Sequence, residues 1–221
     1  MISFNTPDPG PPEADCTVTV WACRDALRAA RTRLHFRSLV STPSFPCARS
    51  LWYDYDEVFM FTAGILTVSD KGSRGERVDE SGKVIKEVLV SIGAGEIKYA
   101  IVPDEKQAIS SKLREWSDAG LDLVLTTGGT GLTPRDVTPE ATLDVLDRVA
   151  PGFAEAMRAY GMKQTPVAML SRAVSGVRKK TLIINMPGSP KAVKECLEAI
   201  SPALPHAIET VRGQASECAR R

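Results

Sequence analysis

From Phe61 onward, short apolar runs alternate with stretches in which apolar residues recur every three or four positions. The short runs are typical of buried strands, and the longer spacing is typical of helices that pack one face on a core. We therefore predict four strands, at residues 64–68, 97–102, 121–125 and 182–184.

Helices are predicted between these strands. The first begins near Ser81 and is closed by Gly93 and Gly95. Another begins at Thr138-Pro139, with threonine as N-cap and proline in the first turn. Its expected buried face is Thr142, Val145, Leu146 and Val149. The remaining helices are predicted around residues 108–116, over 151–162, and from Ser189 to Arg212.

Strands separated by helices indicate βαβ units. The predicted fold class is α/β: a mostly parallel sheet with helices on both faces, in three α/β/α layers. Ligands bind such sheets at the carboxyl ends of the strands. The polar motifs of the chain fall at those ends, at Ser69-Asp70, Pro103-Asp104, residues 128–136 and residues 185–190.

Residues 1–60 lack this rhythm and hold eight of the 13 aromatic residues and three of the five cysteines. We expect an N-terminal extension that is poorly ordered, with a short helical segment at residues 25–34, before a domain at residues 61–221. Its arginines suggest a transit peptide, but such peptides are poor in acids, and Asp8, Glu13, Asp15 and Asp25 argue against one. A sharper hypothesis takes Met60 as the start of the native protein.

Composition narrows the class of protein. The hydrophobic and charged fractions, 43% and 25%, exclude a wholly disordered chain. A formal charge of +1 does not favour a nucleic-acid partner, and no apolar run reaches the roughly 20 residues that cross a membrane. Five cysteines without a CxxC pair do not indicate a disulfide framework or structural zinc. We expect a cytoplasmic protein.

A glycine-rich loop follows the third predicted strand. It reads Thr-Thr-Gly-Gly-Thr-Gly, and its candidate binding residues are Thr127, Gly128, Gly129, Thr130 and Gly131. Backbone N–H groups in such a loop cradle phosphate oxygens. It lacks the Gly-Lys-Ser/Thr of a Walker loop. A plain turn is the alternative.

Two carboxylates flank that loop, Asp104 at the preceding strand end and Asp136 just beyond the loop. Paired carboxylates at a phosphate site suit Mg²⁺, which prefers oxygen ligands. We expect both to face one cleft and to serve as catalytic and metal-binding residues. The alternatives are a helix N-cap for Asp104 and a turn residue for Asp136.

Other candidates are weaker. Pro187, Gly188 and Ser189 open a helix whose N-terminus favours an anion, although an ordinary capped helix start fits as well. Cations for phosphates are offered by Ser171-Arg172 and by residues 178–180, unless the latter form a solvated turn. A nucleotide sugar or base edge would suit Ser69, Asp70 and Ser81, which otherwise serve as turn and cap residues.

Together these motifs resemble the molybdopterin-binding domain of molybdenum-cofactor biosynthesis. The matching segments are Val68-Ser69-Asp70, Pro103-Asp104-Glu105, residues 126–131, residues 135–139 and residues 186–190, in the same order and spacing. The resemblance spans about residues 61–213, and its nearest branch is the bacterial molybdopterin adenylyltransferases, similar to the gephyrin G domain. Residues 1–60 match nothing in that pattern.

The resemblance implies a reaction: molybdopterin and ATP give adenylylated molybdopterin and pyrophosphate, with Mg²⁺. It places the family's two important aspartates on Asp104 and Asp136. It implies that the glycine loop and the residues 187–190 turn bind the pterin dithiolene and phosphates, while Ser171 and Arg172 meet substrate anions. It further implies a homotrimer, and a molybdate-insertion protein is a possible partner.

Two other functions are compatible with the same motifs. One is a non-catalytic molybdopterin-binding or scaffold module of this fold, against which the two aspartates argue. The other is a different nucleotide-dependent enzyme on the same sheet, such as a relative of competence-damage hydrolases. The Arg-Asp-Val-Thr-Pro and Met-Pro-Gly-Ser-Pro segments favour the adenylyltransferase.

Overall fold

The computed structural model describes residues 60–214. The expected N-terminal extension, including its short helical segment, lies outside the described residues. No helix in residues 60–214 combines the length and the apolar character that crossing a membrane requires.

The described chain alternates strands and helices as the pattern predicts. The strands are β1 (Phe61–Val68), β2 (Ala94–Val102), β3 (Leu123–Thr127), β4 (Arg148–Val149), β5 (Ser175–Arg178) and β6 (Thr181–Met186). The helices are α1 (Asp70–Ser73), α2 (Glu80–Ser91), α3 (Lys106–Asp118), α4 (Thr138–Leu143), α5 (Gly152–Met162), α6 (Pro190–Ile200) and α7 (Leu204–Arg212). Single 3₁₀ segments lie at Pro166–Leu170 and Ser201–Ala203.

The strands form one sheet in the order β2-β1-β3-β6-β5-β4. The first four strands of that order run parallel, β5 pairs antiparallel with β6, and β4 pairs antiparallel with β5. A mostly parallel α/β fold is therefore confirmed. Because β1, β2, β3 and β6 are parallel, their carboxyl ends share one edge, which we call the C-edge; the opposite edge is the N-edge.

Alternate side chains of β1, β3 and β6 enter two separate cores. Ile65 belongs to a cluster with residues of α2, α5, α6 and α7, whereas its neighbour Leu66 packs with residues of α3 and α4. Such alternation is what a sheet covered on both faces requires. The helices thus form the two outer layers of an α/β/α sandwich.

Three local predictions are wrong. The helix from Thr138 ends at Leu143, and Val149, expected on its buried face, lies in β4 and is 55% exposed. The chain leaves the helix there because it begins to pair with the sheet, as the Asp147 N–H bond to the Val177 carbonyl shows. Gly95 is part of β2 rather than a helix stop, and Val137, not Thr138, is the N-cap of α4.

Candidate active site

Four polar segments lie side by side at the C-edge. Ser69-Asp70 follows β1 and Asp104 follows β2, while residues 128–131 follow β3 and residues 187–189 follow β6. Thr67 lies opposite Thr127, which lies opposite Met186, so three of these strands end at one level. The sequence prediction that the motifs share one edge is confirmed.

The backbone N–H of each of Asp70 and Asp104 donates a hydrogen bond to the carboxylate of the other. The Asp70 N–H donates to Asp104 Oδ2 at 2.8 Å, and the Asp104 N–H donates to Asp70 Oδ1 at 3.0 Å. Arg135 adds hydrogen bonds to both Asp70 oxygens, at 2.8 and 2.7 Å. The Asp70 carboxylate is thus occupied by the protein, and Asp104 is not a helix N-cap, a position that Glu105 takes.

These contacts give the two carboxylates opposite electrostatic environments. The hydrogen bond from Arg135 is the main reason that the pKa of Asp70 is lowered. Burial is the main reason that the pKa of Asp104 is raised, and the charges of Asp70 and Asp136 act in the same direction. A cation next to Asp104 would stabilise the charged carboxylate and so counter the effect of burial on its pKa.

The glycine loop needs its glycines for steric reasons. Gly128 and Gly129 have φ of +100° and +63°, in the region that favours glycine. A β-carbon on Gly128 would lie 2.3 Å from the Val68 carbonyl oxygen, and one on Gly188 would lie 3.3 Å from Gly128 Cα. The loops after β3 and β6 therefore touch backbone to backbone.

The same loop leaves its amide protons available. In residues 60–214, the N–H groups of Gly129, Thr130 and Gly131 donate no hydrogen bond. Three consecutive free N–H groups beside positive-φ glycines form a concavity that binds anions. That this loop binds phosphate stays a prediction, and the three unpaired N–H groups support it.

Two hydroxyl groups that line the first cleft also support the neighbouring loop. Thr127 Oγ1 donates to the Pro187 carbonyl at 2.7 Å, and Ser81 Oγ donates to the Gly188 carbonyl at 2.9 Å. Both side chains are buried. Ser189 is the N-cap of α6, as predicted, but its side chain makes no capping bond. The first N–H groups of α6 are therefore open to an anion.

Asp136 lies against the last glycine of the loop. Its Oδ2 accepts hydrogen bonds from Thr133 N, at 2.8 Å, and Thr133 Oγ1, at 2.6 Å. A β-carbon on Gly131 would lie 3.0 Å from the same oxygen. Asp136 can therefore stabilise the turn with Oδ2 and still bind a ligand with Oδ1, which makes no hydrogen bond in the described chain.

Arg172 binds the protein itself instead of pointing to a substrate. Its Nε donates to the Gly131 carbonyl at 2.7 Å, its Nη2 to the Asp136 carbonyl and its Nη1 to Glu140. Its backbone N–H also donates to the Thr130 carbonyl at 3.0 Å. Arg172 thus fixes the loop that presents the free N–H groups. The adjacent Ser171 lines a cleft.

Two clefts open on either side of the paired loops. The first has a volume of about 430 Å³, and its lining includes Ser69, Asp79, Ser81, Asp104 and Gly128. The second has a volume of about 520 Å³ and is lined by Asp136, Arg158 and Ser171 together with apolar side chains of α5 and the 3₁₀ segment. Both clefts are lined by Gly129, Gly188 and Ser189. The predicted site is therefore two adjoining clefts with a common wall. Asp104 lines the first cleft and Asp136 the second, so the expectation that both carboxylates face one cleft is wrong.

A family model described as "Probable molybdopterin binding domain" matches residues 64–206, which include every segment of this site. The chain belongs to this family. The resemblance drawn from the motifs is confirmed.

Several members of the family are close in sequence. The chain is 47% identical over 153 residues to a molybdopterin adenylyltransferase of Helicobacter pylori (strain J99), covering 68% of this chain and 87% of the relative. It is 44% identical over 143 residues to the one of Escherichia coli K12, covering 63% and 73%. The crystal structure of the molybdopterin biosynthesis enzyme MoaB from Thermus thermophilus has a TM-score of 0.67 and 56% identity, over 72% of this chain and all of that one.

One residue that lines the first cleft of this protein was not predicted from the sequence. Asp79 is the N-cap of α2, and its Oδ1 accepts from the Gly82 N–H at 2.9 Å. Its Oδ2 accepts from Thr67 and, at 2.7 Å, from Tyr99. Burial of the phenol is the main reason that the pKa of Tyr99 is raised to about 12, and the Asp79 carboxylate raises it further. The available signal was an aspartate three residues before Gly82 at a helix start.

The basic residues 178–180 form a turn, one of the two interpretations that the sequence allowed. They form the turn between β5 and β6, at the N-edge. Arg178 and Lys179 pair with Asp118 at 3.0 and 2.8 Å. They are therefore at the opposite end of β6 from the two clefts, and the interpretation as a turn is the one that holds.

The donor set of the C-edge consists of carboxylate oxygens, which suit a hard cation such as Mg²⁺. No group of three His, Cys, Asp or Glu side chains suited to a metal occurs in residues 60–214. Asp104 and Asp136 each keep one carboxylate oxygen without a hydrogen bond in that part of the chain. Mg²⁺ commonly takes one or two carboxylates and completes its shell with water and substrate phosphates. The site fits Mg²⁺ that is bound together with a nucleotide.

Proposed function

We propose that this protein is a molybdopterin adenylyltransferase, which transfers AMP from ATP to the terminal phosphate of molybdopterin. The observation that carries the proposal is the pair of clefts that share Gly129, Gly188 and Ser189. A group transfer between two substrates needs two binding places and one reaction point between them. Relatives named for this activity are 44–47% identical to the chain.

Each cleft suits one substrate. The first is lined by polar side chains, of which the Ser69 hydroxyl can donate to a ribose or a phosphate and the free oxygen of Asp104 can accept from a ribose hydroxyl. The second offers apolar side chains such as Met157 and Leu170 for a ring system. We therefore assign the nucleotide to the first cleft and the pterin to the second, with their phosphates meeting at the glycine loop.

The chemistry needs no strong base from the protein. A phosphate oxygen of molybdopterin attacks the α-phosphorus of ATP, and the bond from that phosphorus to the bridging oxygen breaks to release pyrophosphate. A phosphate monoester is already largely dianionic near pH 7, because its second pKa is about 6. In agreement, no histidine lines either cleft in the described part of the chain.

Positioning and charge neutralisation then account for the rate. The free N–H groups of Gly129, Thr130 and Gly131 would bind the phosphate oxygens, and the start of α6 would add further donors. Asp104 and Asp136 would hold Mg²⁺, which neutralises charge on the nucleotide phosphates when bound. Asp70 would act by fixing the Asp104 carboxylate, and Arg172 would act by fixing the glycine loop.

Further parts of the proposal depend on the resemblance to the adenylyltransferases. These are a homotrimeric assembly, a cytoplasmic location and transfer of the product to a molybdate-insertion protein. We also propose that residues 61–221 form the catalytic domain, and that residues 1–60 are not needed for the reaction.

The experiment that tests the function uses the full chain, Mg²⁺-ATP and freshly released molybdopterin, with adenylylated pterin followed by chromatography. We expect product from the wild type and none from Asp136→Ala, which removes a carboxylate but keeps the fold. Tight pterin binding without product in the wild type would instead identify a binding or scaffold module. Full activity of Asp136→Ala would remove Asp136 from the mechanism.

A further inference from the structure

Two opposite charges line the second cleft without meeting each other. Glu195 of α6 and Arg158 of α5 are both half-buried and both belong to its lining, where most other side chains are apolar. Neither forms an ion pair within residues 60–214, and Glu195 accepts no hydrogen bond there. A few polar groups in a mainly apolar cleft fix the orientation of its ligand. Unpaired charges at such positions therefore indicate a ligand with complementary groups.

The guanidinium of Arg158 is held at the end of the cleft that contains the glycine loop. Its Nη1 donates to the Ala173 carbonyl at 2.9 Å and to the Ser171 carbonyl at 3.4 Å. Between these two residues, the Arg172 N–H donates to the Thr130 carbonyl at 3.0 Å. The other N–H groups of Arg158 make no hydrogen bond in the described chain, so they are available to an anion beside the loop.

Glu195 lies farther from that loop, along the wall that α6 forms. Ser189, Ala192 and Glu195 line the cleft at intervals of three residues, which places them on one side of the helix. At a rise of 1.5 Å per residue, Glu195 is about 9 Å along α6 from Ser189. The cleft therefore has groups that bind anions at one end and a carboxylate toward the other.

A carboxylate in this position selects the part of a ligand that it can face. It only accepts hydrogen bonds, and it disfavours an anion placed next to it. Its two oxygens match two parallel N–H donors. A pterin has such a pair in the N3–H and the 2-amino group, on the ring edge remote from the substituent that carries the phosphate.

We propose that Glu195 determines the specificity of the second cleft, by accepting hydrogen bonds from the N3–H and the 2-amino group of the pterin. The phosphate end of the molecule then faces Arg158 and the glycine loop, where the transfer takes place. This inference rests on the proposed function, because it takes molybdopterin as the ligand of that cleft. Glu195 thus selects the ring and also sets the direction of the phosphate.

The test compares two ligands that differ only at the ring edge, 6-hydroxymethylpterin phosphate and 6-hydroxymethyllumazine phosphate. Lumazine has an oxo group where pterin has the 2-amino group, so a donor is replaced by an acceptor. Affinities are measured from the ring fluorescence without ATP, for the full-length wild type, Glu195→Gln and Arg158→Gln. Glu198→Gln is the matched control, because Glu198 is on the same helix, accepts from the Tyr160 hydroxyl at 2.9 Å and lines neither cleft.

The two cleft variants should differ in the ratio of the two affinities. The wild type should prefer the pterin by about 10- to 100-fold, as expected for a hydrogen bond to a charged group. Glu195→Gln should lose most of this preference, because an amide offers only one acceptor oxygen, and should keep the wild-type melting temperature. Arg158→Gln should weaken both ligands and keep their ratio. Glu198→Gln should keep the wild-type preference.

Other outcomes overturn the inference. If the wild type binds the two phosphates equally well, or if Glu195→Gln keeps the preference for the pterin, Glu195 does not recognise the ring. A preference that is lost only together with the melting temperature makes Glu195 a structural residue of α6. Failure of the proposed function has a different signature, which is that the wild type forms no adenylylated pterin from ATP and molybdopterin.

Discussion

Gly129 is the residue at which backbone conformation and site geometry meet most closely. Its φ of +63° favours glycine, and any β-carbon would collide with Thr138 Oγ1. We expect Gly129→Ala to lose most adenylyltransferase activity and to cost more stability than the about 1–2 kcal/mol of a left-handed alanine alone. Product formation and the urea midpoint measure the two effects.

Gly120→Ala is the matched control for that prediction. Gly120 has φ of +80° but no atom within 4 Å of an added β-carbon, and it lies at the N-edge. It should show the conformational cost and keep full activity. Equal activity in the Gly129 and Gly120 variants would contradict the assigned role of the glycine loop.

Single residues were predictable where their chemistry is local. The sequence pattern placed the glycine loop, Asp104 and Asp136 at or just beyond strand ends, and the structure has them there, while their roles stay predictions. Arg172 was misassigned, because a guanidinium donates to any acceptor that the fold presents, and the Gly131 and Asp136 carbonyls are visible only in three dimensions. Thr138 was interpreted as a helix N-cap because threonine before proline is typical of one, but the helix begins one residue earlier.

The contact of β1 with α3 sets a strict limit on side-chain size. A β-carbon on Gly64 would lie 2.5 Å from the Cε3 atom of the buried Trp116. We expect Gly64→Ala to destabilise the protein by about 1–3 kcal/mol, because a close-packed contact must open. Denaturant unfolding followed by tryptophan fluorescence measures it.

Gly152→Ala serves as the control, since Gly152 begins α5 and has open space at its β-carbon position. It should be neutral or slightly stabilising. An unchanged midpoint for Gly64→Ala would mean that α3 moves away from the sheet at little cost.

Elements were predictable where apolar residues cluster along the sequence. The strands β1, β3 and β6 have such runs, and β2 was located from its apolar residues although Glu96 and Lys98 interrupt them. The hairpin partner β5 reads Ser-Gly-Val-Arg and β4 has two exposed residues, so neither has an apolar run to detect. The same missing strands explain the error at α4, where Val145 and Leu146 stay covered but leave the helix to meet β5.

At the scale of the whole molecule, the two clefts and the Arg212–Asp122 ion pair lie at opposite edges of the sheet. The clefts are at the C-edge. At the N-edge, Arg212 at the end of α7 makes two bonds of 2.7 Å to Asp122, which also accepts two bonds of 2.8 Å from Thr62 of β1. Changes to this network should therefore alter stability without altering catalysis.

The network also predicts a pH dependence. Burial by itself would raise the pKa of Asp122, but the hydrogen bonds from Arg212 and Thr62 outweigh it and lower that pKa. A carboxylate with a lowered folded-state pKa stabilises the fold above its unfolded pKa of about 3.9, and this stabilisation is lost as the pH falls through the folded value.

Asp122→Asn is therefore expected to lose about 2–3 kcal/mol at pH 7, the contribution of hydrogen bonds to a charged group. The difference from the wild type should stay constant down to about pH 4 and shrink below it. Urea unfolding across that range measures it.

Asp118→Asn, at a carboxyl that is 49% exposed on the same edge, should change stability by no more than about 1 kcal/mol. Because both positions are at the N-edge, each variant should form adenylylated pterin at the wild-type rate while folded. If the stability lost in Asp122→Asn does not depend on pH, packing and not charge holds α7 to the sheet.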